Sequence, residues 1–180
     1  MLESQENLQL ADAEIKTKSL FGPRSILIAV AIVAFSVVIG LFASGAFNVT
    51  DKKAKANYEI VMVPVMEDFV VWQGKFAETS NYSVSTWQVV FPDLLEDLGS
   101  IQKRAEAITP GTDELKQAHK TYLEVLFHAQ EALKALIVAV SYEDPEQIAY
   151  FGAKATPHTD AFTAKLSEYQ LLLSLIEDQE

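Results

Sequence analysis

Residues 25–47 read SILIAVAIVAFSVVIGLFASGAF and contain no charged side chain. As a helix that rises about 1.5 Å per residue, a run of this length reaches roughly 34 Å, enough to cross a hydrocarbon core of about 30 Å. We therefore predict a transmembrane helix over 25–47, preceded by a short polar tail at 1–24 and followed by a domain at 48–180. The lipid bilayer is the first partner that the sequence predicts.

The length of this run favours an uncleaved signal anchor over a cleaved signal peptide, whose apolar region usually spans about 7–15 residues. Cleavage after the small residues Ser44, Gly45 and Ala46 is the alternative. We expect a cytoplasmic N-terminus and an extracytoplasmic domain, the usual arrangement of single-span proteins with a short N-terminal tail. Flanking charge does not decide the orientation, because the basic residues are balanced: Lys16, Lys18 and Arg24 before the span, and Lys52, Lys53 and Lys55 after it.

Small residues recur on one face of the predicted span. Ser36, Gly40 and Ser44 lie four positions apart, a spacing that lets two helices approach closely in lipid. The span is therefore expected to pair with a second copy or with a helix of another membrane protein. The alternative is that small residues are simply common in membrane spans.

The composition of the remaining domain excludes several classes of protein. Residues 51–180 contain 11 basic and 21 acidic side chains, a net charge of −10, whereas nucleic-acid binding needs clustered Lys and Arg. The absence of cysteine excludes disulfides, thiol catalysis and cysteine zinc sites. No signature of nucleotide binding, of a serine hydrolase or of a zinc protease occurs in the sequence. We therefore expect neither an enzyme nor a bound cofactor.

Four segments of the domain repeat apolar residues at steps of three and four, the spacing of one helical face. The first segment spans about 51–79 and is expected to kink or restart at Pro64, the second to bend near Pro92, and the fourth to kink at Thr156 and Pro157. This pattern predicts an all-α fold, an up-down-up-down four-helix bundle behind the single transmembrane helix. The predicted core positions are, by segment, Tyr58, Val61, Val65, Phe69, Trp72 and Phe76; Trp87, Phe91, Leu94, Leu98, Ile101, Ala105 and Ile108; Leu115, His119, Tyr122, Leu126, Ala129, Leu133, Leu136 and Val140; and Ile148, Phe151, Ala155, His158, Phe162, Leu166, Tyr169, Leu173 and Ile176.

Two polar corners separate the later segments. Residues 109–112, TPGT, end the second helix and start the third, with Thr112 or Asp113 as N-cap. Asp144 is the expected N-cap of the fourth helix, and Pro145 takes its first position.

The stretch ITPGTDEL at residues 108–115, followed by His119, Tyr122 and a long Ala- and Leu-rich helix, resembles uncharacterised bacterial membrane-anchored helical-bundle proteins of the cell envelope. The resemblance covers roughly residues 85–175. It implies an extracytoplasmic bundle, and it implies no particular activity or functional residue.

Histidines are the best candidates for a chemical site. If the third and fourth helices form a hairpin that turns near residue 143, His128 and His158 each lie fifteen residues from the turn, at one height. Glu124 and Glu131 lie about one helical turn from His128. These four side chains are placed to bind a divalent metal ion or to titrate near neutral pH. The alternative leaves His128 in solvent and makes His158 a hydrogen-bonded residue at the edge of the core.

Large aromatic residues gather where the first and second helices meet. Packing in the core is the ordinary explanation for such a group, and a ligand pocket or partner groove is the alternative. The residues concerned are Phe69, Trp72, Phe76, Trp87 and Phe91.

Taken together, these features favour a non-enzymatic, single-pass membrane protein that displays an acidic helical bundle for contacts with other proteins. It would serve as an accessory or assembly subunit of an envelope complex. The alternative is a ligand-, metal- or pH-sensing bundle that works through another membrane protein.

Overall fold

The computed structural model describes residues 52–177. The predicted tail, the predicted transmembrane helix at 25–47 and the pairing positions Ser36, Gly40 and Ser44 lie outside the described residues. Residues 52–177 contain no β-strand, so the prediction of an all-α fold is confirmed for this part of the chain. None of its helices combines the length and the apolar composition that crossing a bilayer requires. The helices are α1 (Lys52–Glu78), α2 (Val84–Glu106), α3 (Asp113–Val140), α4 (Pro145–Ala153) and α5 (Thr156–Glu177), with a 3-10 turn at Thr79–Asn81 after α1.

Neighbouring helices of the bundle run in opposite directions, because residues of rising number on one helix meet residues of falling number on the next. The described residues therefore form an antiparallel helical bundle of four segments, and α4 and α5 together make the fourth. The pairs that show this order are Lys75–Asp97 and Asp68–Arg104 between α1 and α2, Gln88–Val140 and Gln102–Gln130 between α2 and α3, His128–His158 and Tyr122–Tyr169 between α3 and α5, and Phe69–Phe162 and Met66–Tyr169 between α1 and α5.

The fourth segment is interrupted just before the predicted kink. Helix α4 ends at Ala153 and α5 begins at Thr156, so the break lies at Lys154 and Ala155. Pro157 explains this position, because its ring would meet the carbonyl of residue 153 in a continuous helix, while it fits the first turn of a new one. The sequence also predicts a kink or a restart at Pro64. Helix α1 continues through Pro64 without a restart.

Both predicted corners have the expected caps. The Thr112 side chain accepts a hydrogen bond from the backbone N–H of Leu115 at 3.2 Å and begins α3. The Asp144 carboxylate accepts one from the backbone N–H of Glu146 at 3.0 Å, and Pro145 is the first residue of α4. Each cap satisfies a backbone donor that the first turn of a helix leaves without a partner.

The core follows the predicted positions closely in the first three segments. All eight predicted core positions of α3 are buried, as are those of α2 from Trp87 to Ala105. The prediction for α1 is wrong at Val61, which is 46% exposed, because Met62 occupies the core position instead. Met62 lies four residues after Tyr58 and three before Val65, so burial keeps the strict alternation of four and three.

Two predicted core positions of the fourth segment are also wrong. Gly152 and Thr159 are buried there, whereas their neighbours Phe151 and His158 are only partly buried. The buried positions therefore continue across the break between α4 and α5, with alternating spacings of four and three residues. His158 lies beside this row, and its side chain faces the edge of α3.

Most of the buried apolar side chains of these helices form one cluster within residues 52–177. Because the apolar rows close on one another, we expect residues 51–180, produced without the preceding fifty residues, to fold as a predominantly helical monomer. Circular dichroism and light scattering test this. A strand-dominated spectrum would contradict the fold, whereas a helical oligomer would show that an exposed face of the bundle pairs with itself.

Candidate functional site

Two histidines meet between α3 and α5. The Nδ1 atoms of His128 and His158 lie 3.3 Å apart, and both side chains are partly buried. Two ring nitrogens form a hydrogen bond only when one carries a proton and the other offers a lone pair. One Nδ1 therefore donates and the other accepts. The sequence places both histidines fifteen residues from the predicted turn near residue 143. The structure brings these two side chains into contact.

The two carboxylates expected beside this pair have other partners. Glu124 accepts a hydrogen bond from Lys165 at 2.8 Å, and Lys165 also binds Glu168 at 2.8 Å. Glu131 accepts one from Lys134 at 2.6 Å. Across residues 52–177, no three or more His, Asp or Glu side chains are grouped so as to hold a metal ion. The histidine pair therefore stands without a carboxylate ligand.

A second polar cluster crosses the core. The Tyr58 hydroxyl lies 3.2 Å from Nδ1 of His119. Tyr169 is a further polar neighbour of Tyr58, and its hydroxyl donates to the Met66 sulfur at 3.7 Å. His119 also bonds to the backbone of Ala105. Because a carbonyl only accepts, a ring N–H must donate to it, and Nδ1 is left to accept the hydroxyl proton of Tyr58. The result is a directed chain, Tyr58 to His119 to Ala105, with one residue from each of α1, α3 and α2, and Tyr169 of α5 lies beside it.

Burial keeps this chain uncharged. It lowers the pKa of His119 and raises the pKa of Tyr58 and of Tyr169, because desolvation disfavours every charged form. The sequence pattern marks His119 as a polar residue in an apolar row. It gives no sign of the tyrosines' part, since a tyrosine in such a row is indistinguishable from any other core aromatic.

The aromatic residues at the junction of α1 and α2 are part of the core. Their rings form a stacked row with centroids 5.5 to 6.0 Å apart. The indole N–H of Trp72 donates to the Leu94 carbonyl at 2.7 Å, and that of Trp87 donates to the Thr79 carbonyl at 2.6 Å. The residues predicted as a pocket thus pack on one another with their polar atoms satisfied: Phe69, Trp72, Phe76, Trp87 and Phe91.

The side of α1 that points away from the bundle is apolar. We define the outer face of α1 as Ile60, Val63, Glu67, Val71 and Gly74, which recur at steps of three and four opposite the buried row. Ile60 is 72% exposed, Val71 58% and Val63 38%. A methyl group added at Gly74 would meet nothing within 4 Å. Exposed apolar patches of this kind mark contact sites on soluble domains.

Helix α5 exposes two further leucines at one end of the bundle. Leu171 and Leu175 are 57% and 49% exposed. The Tyr169 hydroxyl contacts the Met66 sulfur at 3.7 Å, so the residues that follow Tyr169 lie level with those that precede Met66. The two leucines therefore lie at the same end as Ile60.

Comparison with protein-family models, with curated proteins and with solved structures gave no match. Residues 52–177 form an all-α bundle with a paired-histidine contact, a buried tyrosine–histidine chain and an exposed apolar helix face.

The hydrogen-bonded chain in the core gives a direct test. Tyr58→Phe removes the hydroxyl that bonds to His119 and leaves His119 Nδ1 without that partner. We expect a loss of about 1–3 kcal/mol in the free energy of unfolding, the usual cost of an unpaired buried polar group. Denaturant unfolding measures it.

The matched control is Tyr150→Phe, which removes a hydroxyl from a side chain that is 62% exposed on α4. Its effect should stay within about 0.5 kcal/mol, as for most surface substitutions. Equal effects of the two variants would contradict the proposed bonding of Tyr58.

Proposed function

We propose that this chain is a non-enzymatic, single-pass membrane protein whose bundle contacts another protein through the outer face of α1. The observation that carries the proposal is the exposure of Ile60, Val63 and Val71 on a helix whose opposite side already packs in the core. A helix that is apolar on both sides buries one side in its own domain, and the second side is available to a partner. The protein would act as an accessory or assembly subunit.

The charges of the bundle favour one kind of partner. Glu67 lies at the centre of the outer face of α1, and burying a carboxylate without a counter-charge is costly. A symmetric contact with a second copy would bring one Glu67 against another, between domains that each carry a net charge of −10. The face therefore suits a helix of another protein that is apolar on one side and carries a Lys or Arg opposite Glu67.

The proposed anchor places the start of α1 near a membrane. Four residues, 48–51, join the predicted span to Lys52, the first residue of α1. Fully extended, they reach at most about 14 Å. With the N-terminus cytoplasmic, the bundle lies outside the cell membrane, and its partner is a membrane or envelope protein. The positions Ser36, Gly40 and Ser44 would let the span pair with the same partner or with a second copy.

Photo-crosslinking in native membranes tests the contact. A benzophenone amino acid placed at Val71 of the full-length protein should give one discrete adduct with a different polypeptide. The crosslinked segment of that polypeptide should be a helix with an apolar side and a basic residue. Adding Glu67→Lys should weaken the adduct, because two positive charges would then face each other.

The control position is Val89 on α2, a valine that is 66% exposed on another helix. We expect no adduct from it. An adduct with twice the mass of this chain would replace the proposed partner with a second copy, and equal adducts from Val71 and Val89 would show that the outer face of α1 has no special role.

The orientation has its own test. Protease added to spheroplasts should digest the bundle and spare the N-terminal tail, if residues 25–47 anchor the chain with its N-terminus in the cytoplasm. Protection of the bundle would reverse the orientation. A mature protein that starts near Phe47 would show that the anchor is cleaved.

A further inference from the structure

The histidine pair lies at the one break in the fourth segment. His158 is the third residue of α5, directly after the interruption at Lys154 and Ala155, and His128 lies in the middle of α3. The pair therefore fastens the first turn of α5 to α3. The neighbouring Phe127 packs edge-on against His128, with the two ring centroids 5.2 Å apart, and it is 48% exposed. The pair thus lies at the surface of the bundle, where solvent protons reach it.

The closed contact is compatible with two neutral rings or with one charged ring. It is not compatible with two charged rings. With at most one added proton, one Nδ1 donates and the other accepts across 3.3 Å. With both rings charged, every ring nitrogen carries hydrogen, so two N–H groups point at each other and two positive charges repel. The closed contact therefore cannot be kept when both rings are charged.

The surrounding charges offset this repulsion only in part. Glu124 and Glu131 of α3 favour a charged His128, and Lys165 of α5 disfavours it. Both carboxylates already neutralise lysines, since Glu124 binds Lys165 and Glu131 binds Lys134. Burial and the charge of His158 also hold the pKa of His128 below its ordinary value of 6.5.

The other helices that pack on α3 add little charge at this point. From α2, Gln102 reaches Gln130 of α3 through an uncharged amide contact at 2.6 Å. Beside the break, the Lys154 ammonium lies over the rings of Tyr150 and Phe151, 4.6 and 4.8 Å from their centroids. A second positive charge on the pair therefore has no dedicated counter-ion among these neighbours.

We propose that His128 and His158 form a proton-controlled latch, which holds the first turn of α5 on α3 while the pair carries at most one added proton and releases it when both rings are protonated. Protonation of the second ring is easier in the open arrangement than in the closed one. The latch is therefore fully closed above the ordinary histidine pKa and opens as the pH falls through and below that value. Because α4 and α5 are already separate helices, the release acts at an existing joint.

Hydrogen exchange of the full-length protein in lipid nanodiscs tests the latch between pH 8 and pH 5. After correction for the intrinsic exchange rate, protection of residues 145–165 should fall about tenfold for each unit by which closure lowers the second pKa. Protection of α2 should change less. His128→Asn keeps an amide that can bond to His158 but cannot take a proton, so it should remove most of the pH dependence of residues 145–165.

The matched control is Asp160→Asn, an exposed residue of α5 two positions after His158. It should keep the wild-type pH dependence. If His128→Asn loses its helical dichroism, His158→Gln takes its place in the comparison. A pH-dependent loss of protection that persists unchanged in the histidine variant would overturn the latch.

A metal ion is the competing occupant, because both Nδ1 atoms would offer it a lone pair if each ring carried its proton on Nε2. The experiment is therefore repeated at pH 7 with zinc chloride, and the latch predicts no change in the protection of residues 145–165. Saturable protection by micromolar zinc that disappears in His128→Asn would overturn the latch and assign the pair to metal binding. Neither result affects the crosslinking test at Val71, so the latch and the contact function fail separately.

Discussion

The burial of α3 is the constraint on which the rest of the bundle depends. This helix packs against α2, α4 and α5, and its buried residues cover far more than a single narrow row. A helix enclosed in this way needs small side chains where its neighbours come closest. Ala118, Ala129, Ala132 and Ala139 are fully buried and meet that need. The larger side chains between them fill the remaining space, and the other helices take their positions from this central surface.

Apolar rows alone do not fix how far one helix slides along another. The chain from Tyr58 through His119 to Ala105 adds that information, because its bonds form in only one register of α1, α2 and α3. A shift of any of these helices by one turn would leave buried polar atoms unpaired, at a cost that apolar contacts do not carry. The polar chain therefore complements the apolar packing, which supplies stability with little positional preference.

The sequence predicts the parts of this fold that depend on regular spacing. The core row of α3, the caps at Thr112 and Asp144 and the equal height of His128 and His158 all follow from counting residues. Two of the three failures in the core share one cause. At Val61 and Phe151 the more apolar of two neighbouring residues looked like the core position, whereas the step of three and four selects Met62 and Gly152.

The chemistry of the sites was less accessible from the sequence. Glu124 lies one turn from His128, as expected, but Lys165 binds it from a helix forty residues away along the chain. The bond between Tyr58 and His119 likewise joins two distant segments. Local spacing places residues on a face. It does not tell which side chain of a neighbouring helix will reach them first.

The stacked aromatic row has a consequence for how this molecule is observed. Trp72 and Trp87 are the two tryptophans of the chain, and both lie buried in the α1–α2 hairpin with their indole N–H groups bound to carbonyls. Intrinsic fluorescence therefore reports on the hairpin. The interface of α3 with α5, which holds the histidine pair, contains no such emitter, so the two halves of the bundle are optically distinct without any label.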